Sequence, residues 1–157
     1  MRVARKEIKD KNILIRLLSE AYVGRLATNR HDGYPVIKPL NFLYDEGKIY
    51  IHSAQEGEKI EDIKQDNRVC FEVDFPISYV KTSGSPCKAA YRYRSVIMKG
   101  RAFILEDRQE KIRALKGLME KYQPEGGYGK IPDEKLDLTA VVRIDVEEMT
   151  GKEDVGR

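Results

Sequence analysis

Apolar residues along this chain first recur with a helical period, then alternate with polar ones, and end in a long alternating run. Asp10 is a candidate N-cap. After it Ile13, Leu14, Leu17, Leu18 and Ala21 fall on one helical face, which predicts a helix of about three turns. Residues 22–28 read as a strand, and His31-Asp32-Gly33 as a turn. A long strand is expected over 34–44, interrupted by Pro35 and Pro39. Proline cannot donate to a ladder, so this strand belongs at an edge or carries a bulge. Asp45-Glu46-Gly47 is a second hairpin turn, and 48–54 a third strand. A short helix follows over 57–65, with Ile60 and Ile63 inward.

Residues 68–75 read as a fourth strand, alternating Val69, Phe71 and Val73 against Cys70, Glu72 and Asp74. Residues 76–88 show no regular pattern and read as a loop. The stretch 91–106 fits one bent strand or two short ones, with Gly100 at the bend. Asp107 and Glu110 resemble a capping box that opens a helix. Its apolar face is Ile112, Leu115, Leu118, Met119 and Tyr122. Residues 123–132 are glycine-rich and irregular. In the last strand Val142, Ile144 and Val146 alternate with Arg143, Asp145 and Glu147. Six strands joined by tight turns, with about three peripheral helices, imply an α+β chain whose antiparallel sheet is closed or nearly so. A small barrel has a filled interior. A ligand must then sit outside it or at a subunit boundary.

The 157 residues suit one domain over 1–157, with its core at about 22–152. Hydrophobic residues at 41% against 35% charged give a globular balance. The net charge of +3 is too even for the basic footprint of a nucleic-acid binder. The charged stretch Met1 to Asp10 has no apolar core of signal-peptide type, and no run approaches the ~20 apolar residues of a membrane span. A cytoplasmic location is expected. Cys70 and Cys87 form neither a disulfide framework nor a metal-ligand spacing. Cys70, between Val69 and Phe71, is expected to be a buried, inert thiol.

Chemistry concentrates in His52-Ser53-Ala54-Gln55-Glu56-Gly57-Glu58-Lys59, where a strand ends and a helix begins. The first amides of a helix lack partners, and its dipole favours an anion there. Ser53 could add a hydroxyl donor and Lys59 a point charge suited to phosphate. The bland alternative is an ordinary junction with a solvated lysine. Arg25 lies among strand residues expected to be at least half buried, so it needs a carboxylate or a ligand phosphate. Lys38-Pro39-Leu40-Asn41 is an irregular strand whose proline frees a neighbouring carbonyl. Tyr91, Arg92, Tyr93 and Arg94 alternate into an aromatic and a cationic face, suited to a cofactor wall, an interface or plain packing. His52 stands beside the anion site, opposite Ile49 and Ile51, and is either a proton donor or a passive hydrogen-bonding group. No hydrolase triad, P-loop or dinucleotide fingerprint is present.

In order and spacing, Val23-Gly24-Arg25-Leu26-Ala27-Thr28, Asp32-Gly33-Tyr34-Pro35 and Pro39-Leu40-Asn41-Phe42 resemble the opening of flavin-binding split barrels related to pyridoxamine phosphate oxidase. The resemblance continues through His52-Ser53-Ala54, Gly57, Lys59, Asn67-Arg68-Val69, Tyr93-Arg94-Ser95-Val96 with Gly100, and 139–152. Within that superfamily the chain looks most similar to the nitroimidazole-resistance branch. The resemblance implies a homodimer with two FMN sites at its interface. It places Ser53, Ala54 and Lys59 at the cofactor, with Arg25 as a helper to the phosphate. Pro39, Leu40 and Asn41 would border the ring, His52 the substrate side, and Ser95 and Val96 the cofactor, from the partner chain. True pyridoxamine phosphate oxidases end in a basic, tryptophan-containing segment. This chain has no Trp, so pyridoxamine oxidation is not expected.

The function implied is a flavin-dependent reductase of small aromatic nitro compounds, fed by a nicotinamide donor, with His52 as proton donor. The alternative is a protein of the same fold that holds a flavin, a deazaflavin or haem without turnover.

Overall fold

The computed structural model describes residues 6–156; Arg157 and the first five residues of the charged N-terminal stretch lie outside the described residues. Chain order is β1 (Glu7–Ile8), α1 (Lys11–Glu20), β2 (Gly24–Asn29), β3 (Pro35–Leu40), β4 (Leu43–Asp45), β5 (Lys48–Ala54), α2 (Glu58–Gln65), β6 (Arg68–Val80), β7 (Ala90–Ile104), α3 (Arg108–Tyr122), α4 (Asp133–Leu138) and β8 (Thr139–Asp154). All pairings are antiparallel, in the order β3-β2-β6-β7-β8-β5-β4, with β1 added beside β8. This is the expected α+β split barrel, but with eight strands among the described residues rather than six. The two additions are short: β1 has two residues, and the expected strand over 34–44 breaks at Asn41-Phe42 to leave β4. Among the described residues there are likewise four α-helices rather than three, because α4 follows the irregular segment.

β3 lies at the sheet edge, where the prolines cost no ladder bonds. β6 runs on to Val80, five residues beyond the expected end at 75. Its extension pairs with the start of β7 across a register shift between Pro76 and Ser78, so an alternating pattern is interrupted there and reads as a loop. β7 is one strand, and its register against β8 slips at Lys99/Gly100, where the bend was expected.

The core sits inside the curved sheet. Leu26, Ile49, Ile51, Phe71, Val73, Val96, Met98, Val142 and Ile144 point inward, and α1 closes one end with Leu14, Leu17 and Leu18. Fully burying each such side chain contributes about 2 kcal/mol. Inward Phe71 forces Cys70 outward, because neighbouring strand residues face opposite sides. Cys70 is therefore exposed, which corrects the buried thiol expected from its apolar neighbours.

Asp107 caps α3 by accepting from the Glu110 amide at 2.7 Å. The Glu110 side chain does not return to the cap but turns to Tyr50 and Arg143. Ile112 is exposed, and Ala114 and Leu118 are the residues of α3 that are buried. Asp107→Ala should lower stability by about 1 kcal/mol, read as a shift in urea midpoint at unchanged slope. A loss below about 0.3 kcal/mol would mean the cap is dispensable.

Candidate functional site

β5 delivers the chain to the site. Its alternation places Ile49 and Ile51 in the core, with Tyr50 and His52 on the outer face. Ser53 returns to the Ile51 side at the strand's open end and is half buried, while Ala54 is exposed. Gly57 then turns the chain into α2 with φ of 125°, a conformation that favours glycine. No side chain caps this helix, so the Glu58 and Lys59 amides lack a side-chain acceptor.

Lys59 is half buried and has no ion pair or hydrogen bond among the described residues. Burial, and secondarily the charge of Lys38, pushes its ammonium below the ordinary lysine value. A cation held out of water beside another cation favours an anionic ligand. Lys38 arrives from β3, and its Nζ donates to Glu58 Oε2 at 2.7 Å; Arg30 Nη1 lies 3.2 Å from Glu58 Oε1. These bonds hold Glu58 below the usual carboxylate range, Lys38 contributing most. Thr28 Oγ1 donates to the buried Asp62 carboxylate at 2.8 Å, fixing α2 against β2. Together these contacts set the β3 edge beside the start of α2. Lys38 and Glu58 stand inside segments that the sequence marks out, but their meeting with each other and with Arg30 carries no sequence signal, because it depends on how β3 packs beside α2.

Pro39 is exposed, Leu40 packs partly on the core, and Asn41 donates to the Tyr22 carbonyl at 3.4 Å. All three lie at the open edge. Arg25 is exposed rather than half buried, paired with Glu72 at 3.0 Å and also with Asp74. Of the two partners expected for it, carboxylates are present. Its pairing places it on the outer sheet face with Glu72, whereas Lys38 shares the face of Leu26. The structure thus does not bring Arg25 onto the face of Lys59. Ser95 is half buried opposite Asp74 and Lys152. Val96 is 0% exposed, backbone and side chain alike.

Beside His52 on the outer face, the Tyr50 hydroxyl donates to Glu110 Oε1 at 3.0 Å, and Arg143 Nη1 donates to Glu110 at 3.2 Å. Burial first, then Glu110, pushes the Tyr50 phenol up to about 12, so it stays protonated. Burial acts to raise Glu110, but the bonds from Arg143 and Tyr50 outweigh it and hold the carboxylate low. His52 itself is exposed and has no hydrogen-bond partner among the described residues. α4 borders this end, because Gln55 donates to the Asp137 carbonyl. Arg108 ties α4 to α3 through Asp133 at 2.6 Å and Asp137 at 2.7 Å.

The arrangement fits a phosphate-bearing ligand: an uncompensated ammonium, uncapped helix amides and open space where a Gly57 Cβ would stand. Among the described residues no helix is long and apolar enough to cross a membrane.

A solved structure from Bacteroides thetaiotaomicron, described as a 5-nitroimidazole antibiotic resistance protein, is similar at 28% identity and TM-score 0.80, over 94% of this chain and 86% of that one. The flavocytochrome Anf3 from Azotobacter vinelandii shares the fold at TM-score 0.87 and 18% identity, over 99% of this chain and 72% of its own. An FAD and haem binding protein from Mycobacterium smegmatis does so at TM-score 0.87 and 19% identity, over 96% and 74%. No curated protein matches the chain. The family profile described as pyridoxamine 5'-phosphate oxidase matches residues 10–153, nearly the whole length, and the chain belongs to that family.

Proposed function

We propose that this protein binds FMN at the start of α2, in a groove that a second copy completes, and reduces small aromatic nitro compounds. The observation that carries the reading is Lys59, a half-buried cation without a counter-ion at an uncapped helix start. Likeness to the Bacteroides protein supports the nitro-compound part. Exposed Ile37 and Ile97 on the outer sheet face, with exposed Tyr79 and Tyr91 further along, support burial against a second copy.

In this reading Lys59 Nζ and the Glu58 and Lys59 amides hold the phosphate, and Ser53 adds a hydroxyl. Pro39, Leu40, Asn41 and Ala54 border the ring, and Ser95 approaches it from the partner. FMN, when bound, supplies the electron carrier between a nicotinamide donor and the acceptor. His52 holds, on an imidazole nitrogen, the proton that a reduced acceptor takes up. Its exposure lets it recharge from solvent.

The test is a visible spectrum of the freshly purified protein, then oxidation of NADH or NADPH on addition of a nitroimidazole. A yellow protein with acceptor-dependent turnover is expected. A colourless protein that refuses added FMN overturns the reading. A second reading, a flavin or haem carrier without turnover, is favoured by likeness to the flavocytochrome and to the FAD and haem binding protein. A Soret band, or flavin with no turnover, would select it. His52→Ala should keep its flavin and slow acceptor reduction about a hundredfold. Unchanged turnover in that variant would remove His52 from the chemistry.

A further inference from the structure

The charges around the start of α2 do not balance. Lys38 from β3 and Lys59 from α2 bring two ammonium groups, and Glu58 pairs with only one of them. Glu58 Oε2 accepts from Lys38 Nζ at 2.7 Å, and Glu58 Oε1 lies 3.2 Å from Arg30 Nη1. Arg30 turns its other terminal nitrogen to Asp32 at 3.3 Å. Arg30 and Asp32 therefore offset each other, Glu58 offsets Lys38, and the charge of Lys59 is left over. Glu58 is also the first residue of α2, where the helix dipole favours a negative charge. In this structure the resident anion of an anion-binding place is thus a side chain of the protein itself. The ion pairs that hold it are partly exposed, the Lys38 side chain at 29% and that of Glu58 at 44%, so water screens them and they are cheap to exchange.

We propose that Glu58 is a built-in competitor for the ligand phosphate, given the phosphate site proposed above: when a phosphate binds, Lys38 exchanges the Glu58 carboxylate for a phosphate oxygen, and Glu58 stays with Arg30. A phosphate monoester carries a charge of about −1.5 to −2 at neutral pH, more than Lys59 alone can offset. Lys38 is the cation nearest to hand, since its charge already acts on the Lys59 ammonium. Its flexible stem and three donors let it change acceptor, whereas Arg30 can keep the carboxylate on its planar fork. Glu58 then sets flavin affinity below what two free lysines would give. It does so by charge, so its effect falls on the phosphate and not on the ring.

The test is fluorescence titration of FMN, and of riboflavin, which lacks the phosphate, into wild type, Glu58→Gln and Lys38→Met. Glu58→Gln should bind FMN about fivefold more tightly with riboflavin unchanged, and the gain should shrink at high salt. Lys38→Met should bind FMN about tenfold more weakly, again with riboflavin unchanged. Glutamine still offers an oxygen to Lys38 and Arg30, so a carboxylate that merely braces β3 against α2 predicts equal or weaker FMN binding in Glu58→Gln. That result, or an equal shift for both flavins, overturns the competitor role while leaving the phosphate site in place. A wild-type protein that holds riboflavin as tightly as FMN removes the phosphate site and the competitor role together.

Discussion

Lys59→Glu should strip the purified protein of FMN and weaken its affinity by at least a hundredfold. Two effects add. A charge-assisted contact to phosphate is worth about 1.5–3 kcal/mol, and the variant removes it. The new carboxylate then faces the phosphate as a like charge, in a half-buried place where water screens it incompletely. A total of about 3–4 kcal/mol corresponds to a factor of 10²–10³. The side chain is outside the apolar core, so the thermal midpoint of the flavin-free protein should change little. Fluorescence titration of FMN into wild type, Lys59→Gln and Lys59→Glu separates the two effects. The glutamine variant loses only the attraction and should fall between the others. Equal flavin affinity in all three would place the phosphate elsewhere.

Phe71→Ala should cost about 3–5 kcal/mol of folding stability. Phe71 is 1% exposed and meets Phe42 edge to face, with ring centroids 4.9 Å apart. Gly24 is part of the same joint, because a Cβ there would run into the Phe71 ring. Backbone on one side and a second ring on the other leave little room for the cavity to collapse. That places the cost toward the upper end of the range. Against a typical total of 5–15 kcal/mol, the variant should melt roughly 10 °C lower. Calorimetry of the two flavin-free proteins is the measurement. A shift below about 3 °C would show that the core closes over the gap.

The split barrel was legible because its long strands alternate cleanly and its turns carry their own chemistry. Lys48–Ala54 and the start of β6 at Arg68 coincide with the expected bounds. The α3 start is marked by Asp107, a local signal acting over three residues. α4 was missed because its six residues bury only Leu136, too few for a period to show. It stands because α3 holds it: Arg108 takes two of its carboxylates, and Lys111 donates to the Leu136 carbonyl at 2.8 Å. Cys70 was misplaced by weighting its apolar neighbours above the alternation that those neighbours define.

By itself, the sequence determined the alternation along the long strands, the two hairpin turns at Gly33 and Gly47, and that a helix with a lysine follows His52. These follow from periodicity and from the chemistry of capping and glycine, which act between residues a few positions apart. Tertiary structure alone decided that Lys38 and Arg30 meet at Glu58, that Arg25 is met by Glu72 and Asp74 on the outer face, and that Lys121 sits over Phe42 without a counter-ion. Those encounters join segments up to 79 positions apart, the difference between Lys121 and Phe42. Strand register and helix docking set such distances, and no local pattern in the chain encodes them.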